Sequence, residues 1–172
     1  GDDCDGDGLS DLDEAKTHYN DANEKIEPGW MVRVKGQPAY RVLSDPREAD
    51  ADGDGLNDLQ ERGGCAVNDL LAREYANELD CTAQAGVWHS YAGMGCVCGE
   101  GASQDCSESD NQADCEVHGG VWTPLGTDPT LADTDGDGLL DGTDPAPLTR
   151  APKLHVAPGA VDGDGLSWAN AH

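Results

Sequence analysis

One phrase, Asp-x-Asp-Gly-Asp-Gly-Leu, recurs along this 172-residue chain and constrains its fold more than any other feature. It is complete at residues 3–9, 50–56 and 133–139, and a copy that lacks the first aspartate stands at 160–166. Carboxylates on alternate residues of a tight curve point to one side, and glycine permits the sharp turn that this curve needs. The spacing is that of a twelve-residue loop that wraps one hard cation in oxygen ligands.

The residues after each copy complete a ligand set in loop one (residues 3–14), loop two (50–61) and loop three (133–144). In such a loop the side chains at positions 1, 3, 5 and 12, the carbonyl of position 7 and, through a water, the side chain of position 9 face the cation. The predicted metal ligands are Asp3, Asp5, Asp7, Leu9, Asp11 and Glu14 in loop one; Asp50, Asp52, Asp54, Leu56, Asp58 and Glu61 in loop two; and Asp133, Asp135, Asp137, Leu139, Asp141 and Asp144 in loop three. Position 12 of loop three is an aspartate, so closure by two oxygens is harder there. The copy at 160–166 has alanine at positions 1 and 12 (Ala160 and Ala171), and we do not count it as a complete site.

The density of acids distinguishes these loops from ordinary acidic turns. Asp and Gly form turns in many surface loops, but these three windows hold nearly half of the 35 acidic residues, in register. So many carboxylates at close range repel one another strongly without a cation. We therefore predict about three bound Ca²⁺ ions per chain, since Mg²⁺ prefers a smaller and more rigid shell.

The residues before loops two and three argue against a paired sensor hand, in which a helix enters each loop. Ser44-Asp45-Pro46 and Thr127-Asp128-Pro129 stand there instead, and proline breaks a helix. The shared phrase Asp-Pro-x-x-Ala-Asp-x-Asp-Gly-Asp-Gly-Leu-x-Asp resembles the thrombospondin type 3 repeats of secreted proteins, especially the bacterial form, and more distantly dockerin loops. The resemblance covers residues 2–14, 45–61 and 127–145. It implies an extracellular chain wound around calcium ions with little core of its own, and Asp45 and Asp128 as additional ligands of neighbouring ions.

The composition leaves little material for a hydrophobic core. Only 37% of the residues are hydrophobic, phenylalanine is absent and the net charge is −25. Burial cannot offset chain entropy on this composition, so ions and disulfides must act as staples. The charge excludes nucleic-acid binding through phosphates, and no stretch approaches the ~20 apolar residues of a membrane span. We predict a small, loop-dominated mixed α+β fold, in which calcium-binding loops carry short helices, one β-hairpin and a disulfide-braced insert.

Motifs and changes in composition divide the chain into four segments. Residues 1–62 carry two calcium loops and the hairpin, 63–123 form a cysteine-rich insert, 124–148 carry loop three, and 149–172 form an extended tail. Helical patterns predict short helices over residues 10–23, after loop two as far as Gly63-Gly64, and over residues 66–79, the last with Val67, Leu70, Leu71 and Tyr75 inward. Residues 153–157 predict an isolated strand.

Residues 29–43 predict the β-hairpin, with a Gly-Gln-Pro turn between two strand-like runs. A two-stranded hairpin is marginal by itself in water, so it must pack against something. One interpretation is that it covers its own small core. The other is a docking surface for an acidic loop of the same or another chain, because Arg33, Lys35 and Arg41 lie on it and Arg47 follows.

The insert contains an internal duplication. Asn77-x-x-Asp80-Cys81-x4-Gly86-Val87-Trp88 matches Asn111-x-x-Asp114-Cys115-x4-Gly120-Val121-Trp122, 34 residues further on. We expect each copy to supply a helix start, a cysteine and a tryptophan to one small core. The phrase resembles a cysteine-plus-Gly-x-Trp motif of secreted bacterial proteins, which implies no particular activity.

Seven cysteines in an acidic chain indicate an oxidising compartment, and therefore an extracellular or cell-surface protein. Six of them predict three disulfides of open connectivity: Cys65, Cys81, Cys96, Cys98, Cys106 and Cys115. Cys96 and Cys98 are not expected to bond to each other, because so short a ring is strained. The rival interpretation is a zinc or redox site that uses Cys96, Cys98 and His89 or His118. Cys4, at position 2 of loop one, is left to bond into the insert or to a neighbouring chain.

The tail predicts a link to something beyond the calcium loops. Residues 162–172 resemble the opening of right-handed parallel β-helix domains in bacterial surface proteins, which carry an Asp-Gly-x-Ser-Trp-Ala-Asn phrase after a first strand. The chain starts at Gly1 without Met, and we interpret it as a segment of a longer precursor. Alternatively, the predicted strand at 153–157 pairs with the exposed edge of a neighbour.

The sequence offers no catalytic set. The five histidines stand in unlike contexts, and no serine lies in a nucleophile-elbow phrase. The paired carboxylates are explained as ligands, and the glycines alternate with aspartates that would repel a phosphate. We do not expect an enzyme.

The function that these features predict is a calcium-stabilised extracellular structural protein of bacterial type, in its boldest form a subunit that associates with copies of itself into a surface fibre or matrix. The alternative is a rigid calcium-binding spacer in a larger secreted enzyme or adhesin, with neighbouring domains of the precursor as partners. A third interpretation is a calcium sensor, although only 2 methionines are available to line a groove.

Overall fold

The computed structural model describes residues 2–98, 109 and 111–151. Its helices are α1 (Asp11–Ala15), α2 (Asp58–Arg62), α3 (Glu78–Ala83) and α4 (Gln112–Val117), and a 3₁₀ turn covers Asp141–Thr143. Its strands are β1 (His18–Tyr19), β2 (Lys25–Ile26), β3 (Trp30–Val32), β4 (Tyr40–Val42), β5 (Gly64–Val67), β6 (Leu70–Leu71), β7 (Val87–His89), β8 (Met94–Cys98) and β9 (Gly120–Pro124). The strand predicted at 153–157 and the tail phrase at 162–172 lie outside the described residues.

Short elements and long connections make a mixed α+β, loop-dominated fold, as predicted. The strands form small antiparallel sheets, with the pairs β1–β2, β3–β4 and β8–β9 and the three-stranded order β6–β5–β7. The fold therefore contains more hairpin-like pairs than the one that the sequence analysis predicted. None of the helices in the described ranges has the length and apolar character needed to cross a membrane.

The predicted hairpin is confirmed as the pair β3–β4, with Trp30 opposite Val42 and Val32 opposite Tyr40. Trp30, Val32 and Val42 are buried, and they form the main hydrophobic cluster together with Leu9, Leu59, Ala66 and Leu148. The hairpin thus packs against a core inside its own chain. This is the first of the two interpretations given to it above.

One tryptophan ties the hairpin to the segment that leads into loop three. The indole N–H of Trp30 donates a 2.7 Å hydrogen bond to the buried carbonyl of Thr127. Val32 forms a parallel bridge with Gly126. The amide of Thr127 in turn donates to the carbonyl of Glu61 at 3.1 Å, so loop two, the hairpin and the entry to loop three meet at one place.

The first predicted helix is much shorter than residues 10–23. Ser10 caps α1 by accepting a hydrogen bond from the Asp13 amide, but Lys16 already has extended backbone angles. β1 follows and pairs with β2 around a turn in which Asn20 accepts from the Glu24 amide at 2.8 Å. The asparagine-rich turn therefore outweighs the helical pattern of the preceding residues.

The helix predicted over residues 66–79 is wrong. Val67 pairs with Leu70 instead, and the two residues between them, Asn68 and Asp69, have φ of 53° and 62°. Positive φ at both central positions defines a two-residue hairpin turn that Asn and Asp tolerate well. The apolar residues therefore alternate across a small sheet, and Leu70, predicted to face inward, is 52% exposed.

The duplicated residues form two units of equal construction. Each unit has its own small buried cluster, so the prediction of one shared core is wrong. Asn77 and Asn111 cap α3 and α4 by accepting hydrogen bonds from the amides three residues later. In each unit a strand cysteine lies opposite a tryptophan in the sheet: Cys65 opposite Trp88, and Cys96 opposite Trp122. Each strand cysteine bonds to the helix cysteine of its unit, which gives the disulfides Cys65–Cys81 and Cys96–Cys115.

These disulfides decide between the two interpretations of the cysteines. Cys96 is bonded to Cys115, and Cys98 is disulfide-bonded as well. A zinc or redox site that uses both thiols is therefore wrong. Cys4 is a free, exposed cysteine.

We expect Gly8→Ala to destabilise the folded chain more than Gly55→Ala does. Both glycines are position 6 of their loops, with φ of 104° and 101°, so alanine brings similar backbone strain of about 1–2 kcal/mol. A Cβ on Gly8 would lie 2.3 Å from the Asp69 carbonyl oxygen in the hairpin turn, whereas a Cβ on Gly55 meets nothing within 4 Å.

The difference should add roughly 1–3 kcal/mol to the cost at Gly8. Urea denaturation of both variants in saturating calcium measures it. Equal losses would show that the β5–β6 turn does not press against loop one.

Candidate metal centres

The three loops have the same backbone. At position 4, φ is 78°, 76° and 73° for Gly6, Gly53 and Gly136, and at position 6 it is 104°, 101° and 108° for Gly8, Gly55 and Gly138. The amide of each position-4 glycine donates to the position-1 aspartate of its own loop, at 2.7–2.8 Å. The glycine at position 6 was expected from the sharp turn, and the structure shows that position 4 also has positive φ and favours glycine.

The aspartates at positions 3 and 5 of each loop use Oδ1 to hold the curve. At position 3, Oδ1 accepts from the position-5 amide, in the pairs Asp7–Asp5, Asp54–Asp52 and Asp137–Asp135. At position 5, Oδ1 accepts from the amide of the leucine at position 7 at 2.7, 2.8 and 3.0 Å in loops one, two and three. The second oxygen of the position-3 side chain stays available to a ligand.

All three loops share one feature of the carboxylates at positions 3 and 12. Within residues 2–98, 109 and 111–151, one carboxylate oxygen of each is buried and has no hydrogen-bond partner. These atoms are Asp5 Oδ2, Asp52 Oδ2 and Asp135 Oδ2 at position 3, and Glu14 Oε2, Glu61 Oε2 and Asp144 Oδ2 at position 12. A polar atom that is buried without a partner is costly, and its recurrence at equivalent positions indicates a common cause.

The predicted side chains at positions 1, 3 and 5 come together in every loop. Ligand atoms within 4.8 Å of one another are offered by the trios Asp3, Asp5 and Asp7; Asp50, Asp52 and Asp54; and Asp133, Asp135 and Asp137. A fourth group of this kind is Asp7, Glu14 and Asp58, and all three of its members are buried. The leucines at position 7 differ, since Leu9 and Leu56 are buried and Leu139 is 49% exposed.

The position-9 carboxylates make hydrogen bonds that were not predicted from the sequence. Each accepts a hydrogen bond from the position-2 amide of its own loop: Asp11 from Cys4 at 3.0 Å, Asp58 from Ala51 at 3.2 Å, and Asp141 from Thr134 at 2.9 Å. Asp11 also accepts from the Cys4 thiol. The predicted water-mediated role of position 9 stays a prediction.

Hydroxyl groups from distant residues reach the position-12 carboxylates. Ser44 donates to Glu14 Oε1 and Thr127 donates to Glu61 Oε1, both at 3.0 Å. Each hydroxyl residue stands six positions before the next loop, at the head of the Ser/Thr-Asp-Pro phrase. In the sequence, the two phrases stand at the same distance before loops two and three. Each hydroxyl, however, bonds to the loop that precedes its phrase.

Hydrogen bonds from backbone amides to carboxylates join neighbouring loops at equivalent positions. The amide of Leu59 in loop two donates to Asp7 Oδ2 of loop one at 3.0 Å. The amide of Gly142 in loop three donates to Asp54 Oδ2 of loop two at 2.7 Å. In both cases the donor is position 10 and the acceptor is position 5, so the three loops are stacked with one geometry.

The two residues that the resemblance added as ligands differ in their surroundings. Asp45 is exposed. Asp128 is 4% exposed, and its oxygens accept hydrogen bonds from the Thr130 hydroxyl at 2.7 Å and the Tyr40 hydroxyl at 3.0 Å. Asp128 is thus held in place beside loop three.

Burial raises the pKa of carboxyl groups throughout the loops. It raises the pKa of Glu14 to about 8 and that of Glu61 to about 9, with repulsion from neighbouring loop carboxylates in the same direction and the hydrogen bonds from Ser44 and Thr127 opposing it. Burial is also the largest cause of the raised pKa of Asp5, Asp7, Asp52, Asp58, Asp135 and Asp141. The fold thus holds these groups where their ionised form needs a positive partner.

We expect the folded chain, in excess chelator, to lose stability as the pH rises from about 5 to about 9. A folded-state pKa above the unfolded value gives stability below the unfolded pKa, and this stability is lost as the pH rises through the folded pKa. For Glu14 and Glu61 that window runs from 4.5 to about 8 and about 9. Urea denaturation at several pH values measures the trend.

Two controls accompany this titration. Glu61→Gln removes the titrating group but keeps an oxygen for Thr127, so it should flatten the decline. Saturating calcium should reverse the trend, because the ligands bind as carboxylates. A chelated chain that gained stability with rising pH would contradict the expected burial of these groups.

Comparison with family models, with curated proteins and with solved structures finds no match to this chain.

Proposed function

We propose that this chain is a calcium-stabilised structural module of an extracellular protein. The observation that carries the proposal is the threefold recurrence of buried carboxylate oxygens, without hydrogen-bond partners among the described residues, at positions 3 and 12. These are the positions at which a twelve-residue loop offers its side chains to calcium. The positions were predicted from spacing, and their burial and geometry are independent of that prediction.

The chemistry of the donor set favours a hard divalent cation. Each trio of neighbouring ligand atoms consists of carboxylate oxygens, whereas zinc prefers histidine nitrogen and cysteine sulfur. Several carboxylates on a flexible loop suit the large, variable shell of Ca²⁺ better than the octahedron of Mg²⁺. An ion in such a site offsets the desolvation and repulsion of the carboxylates, so its binding energy becomes folding energy.

An oxidising, calcium-rich compartment suits both the disulfides and the proposed calcium ions. The disulfides Cys65–Cys81 and Cys96–Cys115 form where thiols are not kept reduced. Extracellular modules bind calcium in the range of about 10⁻⁴–10⁻³ M, which extracellular calcium satisfies. We therefore place the module outside the cell.

Two forms of this function differ in what the module is joined to. The repeated contacts from position 10 to position 5 between loops favour a rigid spacer within a larger secreted enzyme or adhesin. The exposed thiol of Cys4 favours association with further copies of the chain. The apolar face of the β3–β4 hairpin packs against the core of its own chain, so it does not support association with further copies.

We expect chelation to lower the melting temperature by more than ~15 °C. Calcium at 100 times Kd stabilises by about 2.7 kcal/mol per site, and 1 kcal/mol shifts the melting temperature of a chain this long by about 2–4 °C. Scanning calorimetry with the disulfides intact, in calcium and in excess chelator, measures the change. An unchanged melting temperature would remove the basis of the proposal.

A pair of carboxylate-to-amide variants tests the site itself. Asp52→Asn should weaken calcium binding to one site by at least ~10-fold, because a charged ligand is lost while Oδ1 keeps its bond to the Asp54 amide. Glu48→Gln removes an exposed carboxylate four residues earlier and should leave the titration unchanged. Isothermal titration calorimetry reports both.

Electron microscopy separates the two forms of the function. Under negative stain, filaments in millimolar calcium that fall apart in chelator would establish the self-associating form. Dispersed particles in calcium would reject the fibre and leave the spacer. Cys4→Ser in the same experiment shows whether any filament depends on the free thiol.

A further inference from the structure

Asp58 lies between loop one and loop two. Its Oδ1 accepts from the Ala51 amide of its own loop, and its Oδ2 is buried without a hydrogen-bond partner in the described part of the chain. A ligand atom of Asp58 lies within 4.8 Å of ligand atoms of Asp7 and Glu14, which are positions 5 and 12 of loop one. In loop two, Asp50, Asp52 and Asp54 form a separate group within the same distance limit, and Asp58 does not belong to it. Asp58 therefore brings a carboxylate oxygen to the site of the preceding loop.

The surroundings of this oxygen point to a ligand. Asp58 and Glu14 are both 0% exposed, and each has an oxygen with no hydrogen-bond partner among the described residues. Asp7 completes the group, and its Oδ2 already accepts from the Leu59 amide. Three buried carboxylates with two unsatisfied oxygens at this range repel one another strongly, so a cation is the partner that the chemistry calls for.

Asp141, at position 9 of loop three, differs from Asp58. It is 1% exposed, and the Thr134 amide and hydroxyl donate to its Oδ1 and Oδ2, so both of its oxygens have partners. The inference below therefore concerns Asp58.

We propose that Asp58, position 9 of loop two, completes the calcium site of loop one. This inference rests on the proposed function and replaces, for Asp58, the predicted water-mediated role in its own loop. It names a ligand from outside the loop for that site. Filling site one therefore requires loop two to be docked, so ion binding and the stacking of these two loops stabilise each other.

The discriminating experiment is a calcium titration of the full, oxidised chain by calorimetry. Asp58→Asn keeps an oxygen for the Ala51 amide but removes the charge, and it should weaken one site by at least ~10-fold. The same substitution is then made in chains whose loop one (Asp3→Asn with Asp5→Asn) or loop two (Asp50→Asn with Asp52→Asn) is disabled.

The effect of Asp58→Asn in these two backgrounds shows which loop Asp58 serves. If Asp58 serves loop one, its substitution still weakens a site when loop two is disabled and changes nothing when loop one is disabled. The reverse pattern overturns the inference while leaving the proposed function intact. An unsubstituted chain that binds no calcium overturns both.

A comparison of single variants does not depend on disabled loops. If position 9 served its own loop, Asp11→Asn and Asp58→Asn would weaken binding equally. Our proposal expects the loss for Asp58→Asn to exceed that for Asp11→Asn by about tenfold, because loop one follows no other loop among the described residues. Asp21→Asn, an exposed aspartate in the β1–β2 turn, serves as the control that should leave every site unchanged. Equal losses for Asp11→Asn and Asp58→Asn would overturn the inference.

Discussion

The burial of ionisable oxygens in three equivalent loops is the constraint on which the rest of this structure depends. An ionised carboxylate that leaves water without a partner costs several kcal/mol. The main apolar cluster contains only seven buried residues, so hydrophobic burial has little surplus with which to offset that cost. In the described part of the chain, the arginine that forms an ion pair with a loop is Arg73, and its partner Asp13 is not one of the predicted ligands. The proposed calcium ions would supply the positive charge that these carboxylates need.

The carboxylates at positions 3 and 5 hold the curve of each loop. One oxygen of each accepts a backbone amide, and the other oxygen at position 3 is buried without a hydrogen-bond partner among the described residues. The two glycines of each loop allow this curve with positive φ. Residues outside loops one and two complete the arrangement there, since Ser44 and Thr127 donate to the position-12 carboxylates of these two loops. The loops are therefore parts of one stack.

The local half of this arrangement was predictable from the sequence, and the long-range half was not. The alternation of Asp and Gly determines the loop curve by itself, and the convergence of positions 1, 3 and 5 followed from it. The contact between Ser44 and Glu14 could not be predicted, because it depends on how two loops stack. At residues 66–79 the spacing of Val67, Leu70 and Leu71 suits a helix as well as a hairpin. There the Asn68-Asp69 turn and the tie from Cys65 to Cys81 outweigh helix propensity.

The two contacts between loops differ in the length of chain that each of them closes. Leu59 and Asp7 are 52 residues apart, and Gly142 and Asp54 are 88 apart, so the second junction closes a longer span and pays a larger loop-closure entropy. The disulfides Cys65–Cys81 and Cys96–Cys115 lie within that longer span, and their cysteines are 16 and 19 residues apart in the sequence. Oxidation of the insert shortens the segment that must be brought together before loop three docks on loop two. Until the cysteines are paired, the second junction closes at the larger entropic cost, by roughly 0.5 kcal/mol.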